Sequence, residues 1–252
     1  MNRGVVSLAA LVLIASSVCA QDKFDSAKAL AGREIVWTDV KDLGLEGKAF
    51  ADTEAPYDRL PARAKGKVRD AVWGLSKHSA GMCVRFVTDA PQIHARWNLT
   101  STKLAMPHMP ATGVSGLDLY VKSEKGWRWL AVGQPKDQTN HVVLVTDIPA
   151  GKREYLLYLP LYNGVSSVEI GVAKQNTLTR APAYPKDFKP IVFYGTSITQ
   201  GGCASRPGMV HTAILGRRLD YPIVNLGFSG NGKGEPVVAK GVAEIDAACF
   251  VL

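Results

Sequence analysis

Ile191-Val192-Phe193-Tyr194-Gly195-Thr196-Ser197-Ile198-Thr199-Gln200-Gly201 is the stretch on which the reading of this 252-residue chain turns. Four apolar residues in a row suit a strand buried on both faces, as in a parallel sheet. A glycine-bounded loop follows at once and carries a serine. Pro207 then opens a predicted helix, where its missing N–H costs nothing. That helix puts Val210, Ala213 and Ile214 on one side, with Arg217 and Arg218 in its last turn, where cations suit the helix dipole. Residues 223–226 read as a second buried strand, 227–234 as a second glycine-rich loop, Pro236 as the start of a second helix, and 249–252 as a third strand. Strand, helix, strand, helix, strand predicts a parallel α/β sheet of the flavodoxin-like kind. Ligands of such sheets sit beyond the carboxyl ends of the strands, where both loops lie.

The chain upstream has a different texture. Short runs rich in Val, Ile, Trp and Tyr alternate with polar residues over 34–40, 68–75, 82–88, 92–99, 117–122, 127–132, 141–146, 154–159 and 165–172. In 92–99, Ile93, Ala95 and Trp97 share one face, while His94 and Arg96 share the other, which reads as exposed. The pattern predicts an all-β sandwich or jelly roll over 21–175, able to fold by itself. Residues 176–189 read as a proline-containing linker, and 190–252 as the N-terminal part of the α/β domain.

The first 20 residues carry an export pattern. Arg3 precedes an apolar run over 5–14, and Val18-Cys19-Ala20 offers a small-residue cut site after Ala20. Val18 before Cys19 disfavours lipidation. The expected location is secreted or periplasmic, with no membrane span. The formal charge of +8 falls to +7 once Arg3 is removed. Arg59, Arg63, Lys65, Lys67 and Arg69, then residues 122–128, Lys186 and Lys189, are scattered and read as solvated surface, not as a nucleic-acid face. Hydrophobic content of 46% excludes a disordered chain. Cys83, Cys203 and Cys249 remain after the cut, with no metal-ligand spacing and no disulfide framework. Cys83 and Cys249 read as small buried hydrophobes. No cofactor is expected.

Ser197 just past a buried strand, and Gly230 in the second loop, are the candidate site residues. A serine there can expose its hydroxyl and aim its N–H at a substrate oxygen; glycine N–H groups can stabilise an oxyanion. Each loop alone also fits an ordinary turn. Residues 193–201 resemble the first block of SGNH (GDSL-type) hydrolases, with Thr196 where many members have Asp. Asn225-Leu226-Gly227-Phe228-Ser229-Gly230 is similar to their second block. Gly116-Leu117-Asp118-Leu119-Tyr120 resembles the GxDLY signature of a β-rich domain that precedes one group of these esterases. The resemblance implies that Ser197 is the nucleophile and supplies an oxyanion N–H, and that Gly230 supplies a second. It assigns a third oxyanion donor to an Asn of a third block and the base to the His of a late Asp-x-x-His. Neither can be placed here, so the chain is expected to stop within the hydrolase domain and to be inactive alone. The implied activity is ester hydrolysis, with O-acetyl groups on polysaccharide as the favoured substrate and lipid or other small esters as alternatives.

Other readings compete. His211 follows Ser197 but falls inside the predicted helix, a poor place for its base. Cys203 has no base beside it. Arg206 suits either substrate contact or an acidic anchor. Gly227-Phe228-Ser229-Gly230-Asn231-Gly232-Lys233-Gly234 nearly matches a phosphate-binding loop, but Gly234 lacks the hydroxyl that holds Mg²⁺. A binding module without catalysis, using Trp73, Trp97, Trp127 and Trp129 as a sugar platform, is a further alternative; buried core explains most of these.

Overall fold

A computed structural model describes residues 34–252. The export signal, the cut after Ala20 and Cys19 lie outside the described residues. In chain order the first part runs β1 (Ile35–Asp39), α1 (Val40–Leu43), β2 (Leu45–Glu46), α2 (Asp70–Ser76), β3 (Cys83–Thr88), β4 (Ile93–Leu99), α3 (Ala111–Val114), β5 (Leu117–Ser123), β6 (Gly126–Gly133), β7 (Thr139–Val145), β8 (Arg153–Tyr158), β9 (Val165–Ala173) and β10 (Leu178–Arg180). The rest is β11 (Ile191–Gly195), α4 (Ser197–Gln200), α5 (His211–Leu219), β12 (Ile223–Gly227), α6 (Pro236–Ala243) and β13 (Cys249–Val251).

Strand alternation builds a sandwich. One antiparallel sheet has the order β1-β9-β4-β7; the other has β10-β3-β8-β5-β6, with β2 beside β3. Ile93, Ala95, Trp97 and Leu99 of the first sheet share a core with Val84, Phe86, Leu117, Leu119, Tyr155 and Leu157 of the second. Full burial of a large apolar side chain contributes about 1.5–3 kcal/mol, so this interleaved layer carries most of the sandwich's stability. The outer face of the first sheet departs from the expected reading. His94 is 0% exposed. Gly171 on β9 has no side chain, so Trp37 of β1 crosses it and meets His94 edge-on at 6.2 Å. Burial pushes the His94 imidazole below its ordinary pKa, and the charge of His141 adds to this.

Two further expectations are corrected. Residues 68–75, read as a strand, supply α2: Val72 and Ser76, one turn apart, are its buried face, and Asp70 sits in the first turn, where a carboxylate suits the dipole. The segment read as a linker contributes β10, which pairs antiparallel with β3, and its Tyr184 ring lies 3.9 Å from the Arg85 guanidinium.

The second part forms a parallel sheet of order β12-β11-β13, in which Ile191 is opposite Ile223 and Cys249. One face carries Val192, Val224, Leu226 and Phe228 against Val238 of α6 and against Phe50, Leu60, Ala64, Val68 and Val72. The last five belong to the excursion between β2 and β3. On the other side, Val210 and Ala213 pack on Tyr120, Leu156, Tyr158 and Leu161 of the sandwich. Residues 34–252 therefore lie within one compact unit, in which the sandwich and the parallel sheet share packed side chains.

Smaller differences follow. Pro207 opens a 3-10 turn, Pro207–Met209, and α5 starts only at His211. The three cysteines among the described residues are free; Cys249 is exposed on β13, not buried, and burial holds the Cys83 thiol well above its ordinary pKa. No helix among the described residues is long and apolar enough to cross a membrane.

Candidate active site

The two glycine-rich loops leave the carboxyl ends of the adjacent strands β11 and β12, whose last residues, Gly195 and Gly227, are register partners. Ser197 is the first residue of α4, partly exposed, with Ile198 beside it 75% exposed. Gly201 ends this short helix in the left-handed region, at φ 115°. The Ser197 carbonyl is fully engaged: it accepts from Gly201 N–H at 2.9 Å, Gly202 N–H at 2.7 Å and Tyr162 Oη at 3.3 Å. Its own N–H and its hydroxyl make no hydrogen bond within the described residues.

The second loop is fastened to the first. Phe228 N–H donates to the Gly195 carbonyl at 2.8 Å. A Cβ on Gly227 would lie 2.1 Å from the backbone nitrogen of Gln200, so only glycine allows α4 to approach this closely. Gly230 is exposed, with φ 66°, and its N–H has no partner among the described residues. Asn225 donates to the Thr199 carbonyl at 2.6 Å and accepts from Gly227 N–H at 2.9 Å. Gln200 accepts from Ser229 N–H at 2.9 Å and donates to the Leu161 carbonyl at 3.1 Å. Its amide also lies 3.0 Å from His78 Nδ1, which accepts while the imidazole is neutral. Burial, reinforced by the nearby Arg59 charge, pushes His78 down to about 4.

Arg59, read from sequence as solvated surface, is 2% exposed. It donates to the carbonyls of His78 (2.9 Å), Leu75 (2.7 Å), Gly227 (2.6 Å) and Asn225 (3.3 Å), and its guanidinium lies 4.9 Å from the Phe228 ring. Burial pushes it down to about 9, so it is still a cation at neutral pH. Neither its neighbours in sequence nor its residue type marks this place; a core position shows only in three dimensions.

The Gly116-Leu117-Asp118-Leu119-Tyr120 stretch also resolves physically. Leu117 and Leu119 point into the sandwich core, and Asp118 and Tyr120 point the other way, toward the parallel sheet's flank. Asp118 is buried and accepts from Gly208 N–H at 2.8 Å and Trp129 Nε1 at 2.9 Å. Arg206 Nε is 3.4 Å away, an ion-pair contact without hydrogen-bond geometry, and the Arg206 guanidinium stacks 4.7 Å from Trp129. Arg206 thus has an acidic anchor. Burial raises Asp118 to about 6, against the pull of these donors.

The remaining candidates fall elsewhere. His211 heads α5 and packs edge-on against Phe193 at 5.7 Å; no histidine hydrogen-bonds Ser197 among the described residues. Cys203 is exposed, with φ 63°. Four of the loop amides that would cradle a phosphate are spent on the protein: Ser229 N–H on Gln200, Asn231 N–H on the Phe228 carbonyl, Lys233 N–H on the Asn231 carbonyl and Gly234 N–H on Tyr194 Oη. Among the described residues, no three His, Cys, Asp or Glu side chains converge as metal ligands. Trp97 is core, with its Nε1 donating to the Ser115 carbonyl, and Trp129, half exposed, is held by Asp118 and Arg206. A hollow of about 380 Å³ between Tyr194, Val242, Phe250 and Leu252 does not include Ser197.

Comparison with known proteins defines the class. Residues 35–178 match the GxDLY family, described as the N-terminus of SGNH-hydrolase-type esterases, and residues 188–252 match the GDSL-like lipase/acylhydrolase family. The chain belongs to the SGNH-type esterases that carry the GxDLY N-terminal domain. Its sequence is 38% identical to a Bacteroides ovatus protein assigned as a GDSL-like lipase, with TM-score 0.81 over 86% of this chain and 63% of that one. The fold is shared with the salicylyl-acyltransferase SsfX3 of a tetracycline biosynthetic pathway, at 21% identity and TM-score 0.64, over 86% of this chain and 60% of that one. It is shared more distantly with an acetyl xylan esterase of the rumen bacterium Butyrivibrio proteoclasticus, at 10% identity and TM-score 0.51, over 78% and 49%. The chain thus spans less than two thirds of the length of each of these proteins. No curated protein matches it.

Proposed function

We propose that the chain carries the nucleophile of an exported serine ester hydrolase that removes O-acetyl groups from carbohydrate. Ser197 Oγ attacks the ester carbonyl carbon and passes its proton to a base. The resulting oxyanion is held by the N–H groups of Ser197 and Gly230; the alcohol leaves with a proton from the base, and water releases the acid from the acyl-enzyme. The observation that carries this reading is the pair of unclaimed N–H groups on two loops locked together through Phe228 and Gly195. The base and a further oxyanion donor are the His and Asn that the family resemblance assigns to later blocks. No histidine among the described residues hydrogen-bonds Ser197. Membership of an esterase family and the fold shared with an acetyl xylan esterase support the acyl and carbohydrate parts of the reading. Acetate release from acetylated xylan or glucomannan, compared with cleavage of long-chain esters by the full-length protein, tests the substrate. Preference for long acyl chains would defeat the carbohydrate reading in favour of a lipid ester.

A further inference from the structure

Arg59 is a buried cation with no carboxylate partner among the described residues. The neighbouring Asp58 is taken by Lys77 at 2.7 Å. Burying an ion costs several kcal/mol unless dipoles or charges compensate it. Here the compensation is four carbonyl oxygens. Two of them, Leu75 and His78, lie at the end of α2 and just beyond it, where a cation suits the helix dipole. Those two would suffice for a cap on α2. The other two, Asn225 and Gly227, belong to the second loop of the parallel sheet, and Nη1 reaches both.

The Gly227 carbonyl and the Phe228 N–H form one peptide group. Its oxygen faces Arg59 at 2.6 Å, and its N–H donates to the Gly195 carbonyl at 2.8 Å. Gly195 and Thr196 share the next peptide, one before the peptide that carries the Ser197 N–H. A cation at one end of such a chain polarises each dipole in turn, and a low-dielectric surrounding strengthens the effect. The Phe228 ring stacks on the guanidinium and closes it off from solvent.

We propose that Arg59 is a positioning residue of the Ser197–Gly230 site: from the excursion of the sandwich it fixes the second loop and places a positive charge, unpaired by a carboxylate among the described residues, on the hydrogen-bonded peptides that lead toward Ser197. This rests on the reading of Ser197 and Gly230 given above. Arg59 touches no substrate. It holds Gly227 and Phe228, and its charge favours the negative oxygen that develops above them.

The test measures kcat and KM separately for a small activated acetyl ester, using full-length wild type, Arg59→Met, Arg59→Lys and Ser197→Ala, with folding checked by circular dichroism. Removing a direct oxyanion donor costs on the order of 10²–10³ in kcat; Arg59 acts one step further away, so Arg59→Met should lose roughly tenfold or more. KM should stay within about a factor of three, since the effect belongs to the transition state. Arg59→Lys should recover part of the loss, because it restores the charge but not the fork that spans both carbonyls. Wild-type kcat in folded Arg59→Met overturns the proposal, as does a loss confined to KM. If Arg59→Met does not fold, folded Arg59→Lys decides: reduced kcat at unchanged KM supports the proposal, and unchanged kcat overturns it. If neither folds, hydrogen exchange of the wild type decides: the Phe228 amide should exchange only with the slowest, global class, and fast local exchange overturns the proposal. Turnover that survives Ser197→Ala sinks the reading of the site itself; turnover lost in Ser197→Ala but untouched in Arg59→Met overturns only the role of Arg59.

Discussion

Gln200 and His78 hold the two loops in one arrangement, and that arrangement needs His78 neutral. A protonated His78 would present Nδ1–H to the Gln200 amide and break a contact of 3.0 Å. With His78 at about 4 in the folded protein and 6.5 as its ordinary value, the unfolded chain binds more protons between these limits. Stability from this group is therefore full above about pH 6.5 and is lost as pH falls toward 4. His78→Asn keeps an acceptor but cannot titrate, so its thermal midpoint should fall less than that of wild type across this window. Parallel curves from pH 4 to 7.5 would contradict the account. Gln200→Leu leaves Ser229 N–H and the Leu161 carbonyl without partners, and each buried unsatisfied group costs about 1–3 kcal/mol; chemical denaturation should show a loss of that order. The placement of Ser197 and Gly230 in loops beyond the ends of β11 and β12 was legible in the sequence because strand, glycine and loop punctuate the chain around them. Arg59 was not, because a lone arginine among Arg63, Lys65, Lys67 and Arg69 carries no mark of burial. His94 failed for the complementary reason: strand alternation gives a face, and only Trp37 crossing Gly171 decides that this face is covered.

The excursion between β2 and β3 does for the parallel sheet what a covering helix does elsewhere. Leu60 is 2% exposed, in the cluster that contains Val192, Val224 and Phe228. Leu60→Ala should cost about 2–5 kcal/mol, as other large-to-small core changes do. Hydrogen exchange should show β11 and β12 loosened by it, whereas an effect confined to the sandwich strands would argue against the shared core. At β5 the GxDLY aspartate ties the sandwich to the segment after the first glycine-rich loop. Asp118 stands at about 6, above its ordinary 3.8, so the folded state holds its proton longer than the unfolded chain does. Stability from this group falls as pH rises from about 4 to 6, opposite in sign to His78. The stability difference between wild type and Asp118→Asn should shrink over that range, and a flat or growing difference would contradict it. Most strands were readable from period-two alternation. Residues 68–75 were not, because Val68, Val72 and Trp73 carry strand-like chemistry while Val72 and Ser76 are buried at helical spacing. β10 hid in a proline-containing stretch, since a three-residue edge strand is too short to show a period.

On the scale of the whole molecule, sandwich and parallel sheet share their cores and their polar contacts. Val210 and Ala213 pack on sandwich tyrosines, Asp118 holds Gly208, and Arg59 holds Asn225 and Gly227. The order of textures in the sequence revealed two kinds of sheet but not this interlocking, because pattern reading treats each segment against its own neighbours. The chemistry that the arrangement supports converges on one hydroxyl. A serine-directed fluorophosphonate, applied to the full-length protein and mapped by mass spectrometry, tests this most directly. The account predicts an adduct on Ser197, none in Ser197→Ala, and loss of ester turnover by several orders of magnitude in that variant. Equal labelling of wild type and Ser197→Ala, or turnover that persists without Ser197, would contradict it.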